Sequence, residues 1–461
     1  MKAVLRASRL LTVTLLAVAP VCTAPTTTAV TPPPVDDSRL PAAGPPAPSR
    51  PTAQHDDCAV ASASDSIPPA ATSNPGQLAG VDLSTVWALT RGAGQTVAVI
   101  DTGVARHRRL PHLVPGGDYV STRDGASDCD GHGTIVAGII GAAPDAGDTP
   151  DAADSAKSFT GIAPDVTILG IRQSSNKFRA VDEPVGSGFG DVETLAAAIR
   201  TAADLGATVI NISSVACLSA DADLDDRALG AALAYAVDVK NVVVVTAAGN
   251  VGGVGQCPGQ NPPDRVGWDD VNVVVSPAWY DDYVLTVGSV GRDGAGSEFS
   301  LAGPWVDVAA SGENIVSLAP AADGLVDAMP DGSPLSGTSY AAPVVSAIAA
   351  LVRARAPELT PRQVMARIED TARHPADGWN PAVGSGMVDA LGAVSDPAST
   401  ARRRNAVTPM ETATPTPVAE QMPRSTAVRG AAICFALTAG VVAVSAAMGR
   451  LRRRDDTVPG D

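Results

Sequence analysis

Between residues 81 and 396 short β-branched runs alternate with longer amphipathic segments, and this alternation restricts the chain to an α/β fold. Residues 96–100, 166–171, 208–212, 242–246 and 284–290 are apolar along most of their length rather than at every second position. Strands covered on both faces require that pattern. Between them, residues 192–205 set Leu195, Ile199, Ala202 and Leu205 on one helical face, and residues 229–239 continue the theme. The expected architecture is a three-layer α/β fold with a mostly parallel sheet covered by helices. Hydrophobic residues make up 45 % of the chain and aromatics only 3 %, so the core must be built from Ala, Val, Ile and Leu. In such sheets chemistry gathers in the loops beyond the carboxyl ends of the strands.

The ends of the chain have a different character. Lys2, Arg6 and Arg9 precede an apolar run over residues 10–21 and then Cys22-Thr-Ala24, the pattern of a secretory signal over residues 1–24. Residues 25–80 form a Pro/Ala/Thr-rich extension and residues 397–429 a Pro/Thr/Arg-rich linker. Residues 430–449 are free of charge. As a helix they span ~30 Å, the thickness of one hydrocarbon core. Arg424 and Arg429 precede this run, whereas Arg450, Arg452, Arg453 and Arg454 follow it. The richer side belongs in the cytoplasm. The expectation is a single-pass protein of the cell membrane, with the folded residues 81–396 outside and a cytoplasmic tail at 450–461. A net charge of −16 excludes nucleic acid as a partner.

With Cys22 in the signal and Cys434 in the membrane run, the exported part holds Cys58, Cys129, Cys217 and Cys257. An even number in an oxidising compartment predicts two disulfides, with three connectivities open. The chain has no CxxC pair and no HExxH helix, so no metal site is expected.

Four short motifs stand where the chemistry should be. The first strand delivers Asp101 in Val-Ile-Asp101-Thr-Gly. An aspartic protease would need a second such motif to share a proton between carboxylates, and none is present. Asp130-Gly-His132-Gly-Thr surrounds an imidazole with glycines, a sign of close backbone approach. The 242–246 strand runs into Ala-Ala-Gly249-Asn250, which puts an amide donor at the same edge for a developing oxyanion. Ser-Gly337-Thr-Ser339-Tyr-Ala-Ala-Pro343 opens an Ala/Val-rich helix. Pro343 cannot donate to the carbonyl of residue 339, so the helix should begin there, with Ser339 at its positive end. The competing placement is a nucleophile elbow at Ser339 with His374 downstream. It needs Gly at position 341, where the chain has Ala, and leaves Asp101, His132 and Asn250 idle.

In the order Asp, His, Asn, Ser these motifs resemble the subtilisin-like serine proteases. The resemblance implies that Ser339 is the nucleophile, His132 its general base and later acid, Asp101 the holder of the imidazole tautomer and Asn250 an oxyanion donor. It implies no cofactor. Ile135 stands where many subtilases carry a second histidine outside the triad.

Further stretches are similar to the mycosins, the membrane-anchored subtilases of actinobacterial type VII (ESX) secretion systems. They include Cys129-Asp-Gly-His-Gly-Thr-Ile-Val-Ala-Gly138, Asn211-Ile-Ser-Ser-Val-Ala-Cys217, Ser276-Pro-Ala-Trp-Tyr280 and Phe299-Ser-Leu-Ala-Gly-Pro-Trp305. The layout of signal, extension, protease and C-terminal anchor is similar as well. This resemblance implies a serine endopeptidase that cleaves secreted proteins or peptides, and a place in the type VII secretion membrane complex. A purely structural role in that complex, or general exported proteolysis, are the alternatives. Cys217 and Cys257 follow strands whose loops leave one sheet edge, which favours pairing them. The Cys58–Cys129 pairing is the one left, and the mycosin resemblance implies it too. Residues 213–217 are expected to line the pocket for the side chain before the cut bond, favouring small or apolar groups. The extension lacks helical or strand periodicity and large apolar residues, so it should act as a strap, not as a folded inhibitor.

Overall fold

The computed structural model describes residues 30–395, apart from 59–66, 68–70, 73–74, 146–158 and a few shorter stretches. The expected signal at 1–24, the linker and the membrane run at 430–449 lie outside the described residues. Among the described residues no helix is long and apolar enough to cross a membrane.

Strand β1 (Thr52–Gln54) lies in the N-terminal extension. Helix α1 (Leu83–Trp87) leads into β2 (Thr96–Asp101), β3 (Leu113–Asp118), helix α2 (His132–Gly141) and β4 (Thr167–Arg172). Short β5 (Phe178–Ala180) follows, then α3 (Val192–Asp204), β6 (Val209–Ile212), β7 (Ala216–Ser219), α4 (Arg227–Ala234) and β8 (Val243–Ala247). The last part contains β9 (Val273–Ser276), β10 (Leu285–Val290), β11 (Val308–Ser311), the small pair β12 (Ser317–Leu318) and β13 (Leu325–Val326), and helices α5 (Thr338–Arg355), α6 (Pro361–Thr371) and α7 (Ala390–Val394).

Seven strands form the central sheet in the order β11-β10-β8-β6-β2-β4-β3. Every pair in it is parallel. Alternate strand residues feed two cores. Val97, Val99, Val243 and Val245 pack with α2 and α5 on one face, and Ala98, Ile100, Ile210 and Val244 pack with α3 and α4 on the other. Burial on both faces explains why these strands read as continuous apolar runs. Local chemistry sets several helix starts. Asp191 and Thr194 cap α3 reciprocally, and Thr360 with Gln363 does the same for α6, which has Pro361 in its first turn.

The five predicted strands occur within about a residue of their expected bounds, whereas β3 and β11 were not anticipated. Leu113-Val-Pro-Gly-Gly-Asp118 reads as a turn, and it is tolerated as a strand because it lies at the sheet edge and its register shifts at Pro115/Gly117. The predicted helix over 229–239 is α4 followed by one π-helical turn, Tyr235–Val239. The extension is ordered by its partners. β1 pairs antiparallel with β5, Arg50 meets Glu183 at 2.6 Å, and the buried Gln77 amide exchanges two hydrogen bonds with the Val316 backbone. Its strand hydrogen bonds come from β5 and not from any periodicity of its own.

Candidate active site

Four elements deliver side chains to one sheet edge. β2 ends in Asp101, α2 begins with His132, β8 runs on into Asn250, and α5 begins one residue before Ser339. His132 Nδ1 lies 2.7 Å from Asp101 Oδ1, which also accepts the Thr102 N–H at 2.7 Å. An ionised carboxylate only accepts, so Nδ1 carries the proton and Nε2 is left with a lone pair facing the cleft. Asp101 is fully buried and His132 partly exposed. Burial alone would lower the imidazole pKa, but the Asp101 charge and hydrogen bond, with Asp128 and Asp130 behind, outweigh it and raise the value.

Close backbone approach makes this contact possible. A Cβ on Gly133 would lie 2.1 Å from the Gly103 carbonyl oxygen, so only glycine lets the start of α2 reach the end of β2. Asp128 fixes the loop between them. It accepts from Thr102 Oγ1 at 2.8 Å, Gly131 N at 2.7 Å, Thr134 N at 2.9 Å and Thr134 Oγ1 at 2.7 Å. Desolvation pushes its pKa up to about 6 despite these donors. The Tyr340 ring lies 5.2 Å from the His132 ring, centroid to centroid, tilted by 34°.

The amide side is built from neutral groups. Asn250 Oδ1 accepts from Thr338 N at 2.9 Å and Thr338 Oγ1 at 3.0 Å, which turns its NH₂ toward the site. A methyl group on Gly337 would lie 3.1 Å from Ser339 Oγ and 3.5 Å from Asn250 Nδ2, so hydroxyl and amide face the same small volume. Among the described residues no hydrogen bond joins Ser339 Oγ to His132; both line a cleft of about 910 Å³. Such contacts tighten when substrate arrives. The same cleft is walled by Ser213, Ser214, Val215, Ala216 and Cys217, the segment expected to face the side chain before the scissile bond.

The cysteines form Cys58–Cys129 and Cys217–Cys257. The second disulfide packs against Gly249 and lines the cleft, and the Cys257 N–H donates to the Asn250 carbonyl at 2.8 Å. His374 of the rival elbow is absent from the cleft lining. Among the described residues no group of His, Cys, Asp or Glu is arranged to hold a metal ion. Sequence reasoning missed Asp128, Thr102 and Thr338. The only available signals were their positions, four residues before His132, directly after Asp101 and directly before Ser339.

The subtilase family model matches residues 92–390. Mycosin-4 of Mycobacterium tuberculosis is 55 % identical, with 99 % of each chain covered. The chain belongs to the mycosin branch of the subtilase family. Mycosin-1 of Mycolicibacterium smegmatis is 47 % identical over 66 % of this chain and 69 % of its own. Among solved structures, the MycP3 protease of a type VII (ESX-3) secretion system superposes on this mycosin with a TM-score of 0.71 at 44 % identity, covering 79 % of this chain and 100 % of that one. A chain of the periplasmic assembly of an ESX-5 inner membrane complex does so with a TM-score of 0.72 at 44 % identity, covering 80 % and 94 %. This mycosin is a serine protease with the subtilisin-like α/β fold.

Proposed function

We propose that Asp101, His132 and Ser339 are the catalytic triad, with Asn250 as oxyanion donor, of an extracytoplasmic endopeptidase that works at a type VII secretion membrane complex. The observation that carries the chemistry is the 2.7 Å contact of Asp101 with His132 Nδ1, in one cleft with Ser339. His132 Nε2 takes the Ser339 proton as Oγ attacks the substrate carbonyl. The carbonyl π electrons move onto oxygen, where the Asn250 amide and the N-terminus of α5 stabilise the negative charge. Collapse of the tetrahedral intermediate expels the amine, protonated by His132. Water, deprotonated by the same imidazole, then releases the acyl group and restores Ser339. No step calls for a cofactor.

Solved relatives within an ESX-5 inner membrane complex support placing the protease domain outside the cytoplasm, beside that assembly. In the same reading residues 1–24 direct export, residues 430–449 form the single membrane anchor and residues 450–461 face the cytoplasm. The substrate is a secreted protein or peptide with a small or apolar side chain before the cut bond, in keeping with the 213–217 wall. The test is a Ser339→Ala chain expressed in the native membrane. It should lose all labelling by a fluorophosphonate and stop cleaving secreted partners, and undiminished labelling would overturn the triad. That relatives are found inside a membrane assembly also favours a scaffolding role, so secretion that persists in the Ser339→Ala strain would assign that role to the folded domain rather than to cleavage.

A further inference from the structure

The helix that carries the nucleophile has a proline where an amide donor belongs. Pro343 lies inside α5, four residues after Ser339, and has no N–H to offer the Ser339 carbonyl. The helix begins at Thr338 and not at the proline, so the missing bond falls within it and is not excused by position. That carbonyl is nonetheless satisfied, because Ser213 Oγ donates to it at 2.9 Å. Ser213 comes from the loop after β6, which walls the cleft.

Ser213 does not stand alone. Its oxygen accepts from Asn211 Nδ2 at 2.9 Å, and Asn211 Oδ1 accepts from Ser346 Oγ at 2.8 Å. The polarity is determined throughout. A carbonyl can only accept, so the single Ser213 proton is committed to Ser339, Asn211 must turn its NH₂ to Ser213, and its oxygen is left for the Ser346 proton. Asn211 and Ser346 are 0 % exposed and Ser213 is 5 % exposed. Buried polar groups of this kind destabilise a core unless every member is paired, and here each link is made. Ser346 lies two turns beyond Ser339 on the same side of α5, so the chain of hydrogen bonds leaves the helix, passes through β6 and returns to the nucleophile.

We propose that Ser346, Asn211 and Ser213 form a positioning relay that replaces the amide proton lost at Pro343 and sets Ser339 against the wall of the side-chain pocket. Because one hydroxyl holds both the nucleophile's backbone and that wall, filling the pocket and aligning the nucleophile are coupled. The relay rests on the reading of Ser339 as nucleophile.

The test uses the full chain in membranes or detergent and measures fluorophosphonate labelling rates and peptide hydrolysis for Ser346→Ala, Ser213→Ala, their pair and Ser213→Thr. Ser346 is remote from the cleft, so Ser346→Ala should lower kcat and the labelling rate by between about tenfold and 10²-fold, the scale of a small misplacement, while leaving KM unchanged. The pair should be no worse than its worse member, since one chain is broken either way. Ser213→Thr keeps the hydroxyl and should recover most of the rate. Wild-type labelling rates in Ser346→Ala and Ser213→Ala, with only a lower Tm, would reduce the three residues to packing and overturn the relay. Additive losses would overturn it too. If Ser346→Ala does not fold, the Ser213→Ala and Ser213→Thr comparison decides. Failure of the wild-type chain to label, or labelling that survives Ser339→Ala, would instead strike the nucleophile assignment.

Discussion

The two halves of the cleft are held by opposite kinds of chemistry. On the His132 side the supports are carboxylates: Asp101 at 2.7 Å from the imidazole, and Asp128 bonded to four donors, with its pKa pushed up to about 6 by burial. On the Ser339 side the supports are neutral: Thr338 on Asn250, and Ser213, Asn211 and Ser346 on the Ser339 backbone. The difference fits the task proposed for each half. A group that gains a proton during the reaction is tuned by nearby negative charge. A region where negative charge develops would be opposed by carboxylates, so it is shaped by neutral donors and a helix dipole.

Removing the proposed nucleophile breaks the comparison outright, as Ser339→Ala should abolish labelling. Asp101→Asn should come next, lowering kcat by about 10⁴-fold through the wrong imidazole tautomer, as in other serine proteases. The same half sets the pH profile. Since the His132 pKa is raised, kcat/KM should climb with pH through a midpoint above the ordinary histidine value of about 6.5. The sign for stability is the reverse: the Asp101–imidazolium contribution is complete below that ordinary value and is lost as pH rises through the folded one. A profile with its midpoint below 6 would contradict the charge-tuned half.

On the neutral side, Asn250→Ala should cost about 10²- to 10³-fold in kcat, the range known for the oxyanion asparagine of subtilisin itself, with little change in the pH midpoint. A loss under about fivefold would mean that backbone donors suffice. Thr338→Ala should have a milder effect, because it leaves the amide in place but removes one of the two hydrogen bonds fixing its orientation; an effect as large as that of Asn250→Ala would mean that Thr338 itself serves the oxyanion.

The smallest effect on turnover is expected from the N-terminal extension, which the Cys58–Cys129 disulfide ties to the segment before His132. Truncating the extension to begin near residue 78, or replacing Cys58 and Cys129 by Ser, should lower Tm while leaving kcat/KM nearly unchanged. The lost cross-link alone is worth about 2 to 5 kcal/mol. Melting curves beside hydrolysis rates check this, and a large gain in turnover would make the extension an inhibitory propeptide and not a strap.

Much of the site was legible because its motifs are local. Asp101 ends an apolar strand, glycines flank His132, Asn250 follows a strand directly, and Ser339 opens a helix, each readable within about ten residues. The strand interiors were legible for the same reason, since burial on both faces leaves an unbroken apolar run. β3 was not, because Pro115 and two glycines argue against a strand unless an edge position excuses them.

What the sequence determined by itself was therefore the layering of the α/β domain, the sheet edge where chemistry gathers and the four residue types that meet there. These depend on side-chain periodicity and on short motifs. The tertiary structure decided how the four are held. Ser213 reaches Ser339 across 126 residues, Ser346 reaches Asn211 across 135, and Gln77 reaches Val316 across 239. A buried serine or glutamine carries no local mark of its partner. It is tolerated in the core only because folding brings a complementary donor or acceptor within hydrogen-bonding distance, and that pairing is a property of the packed chain, not of any one segment.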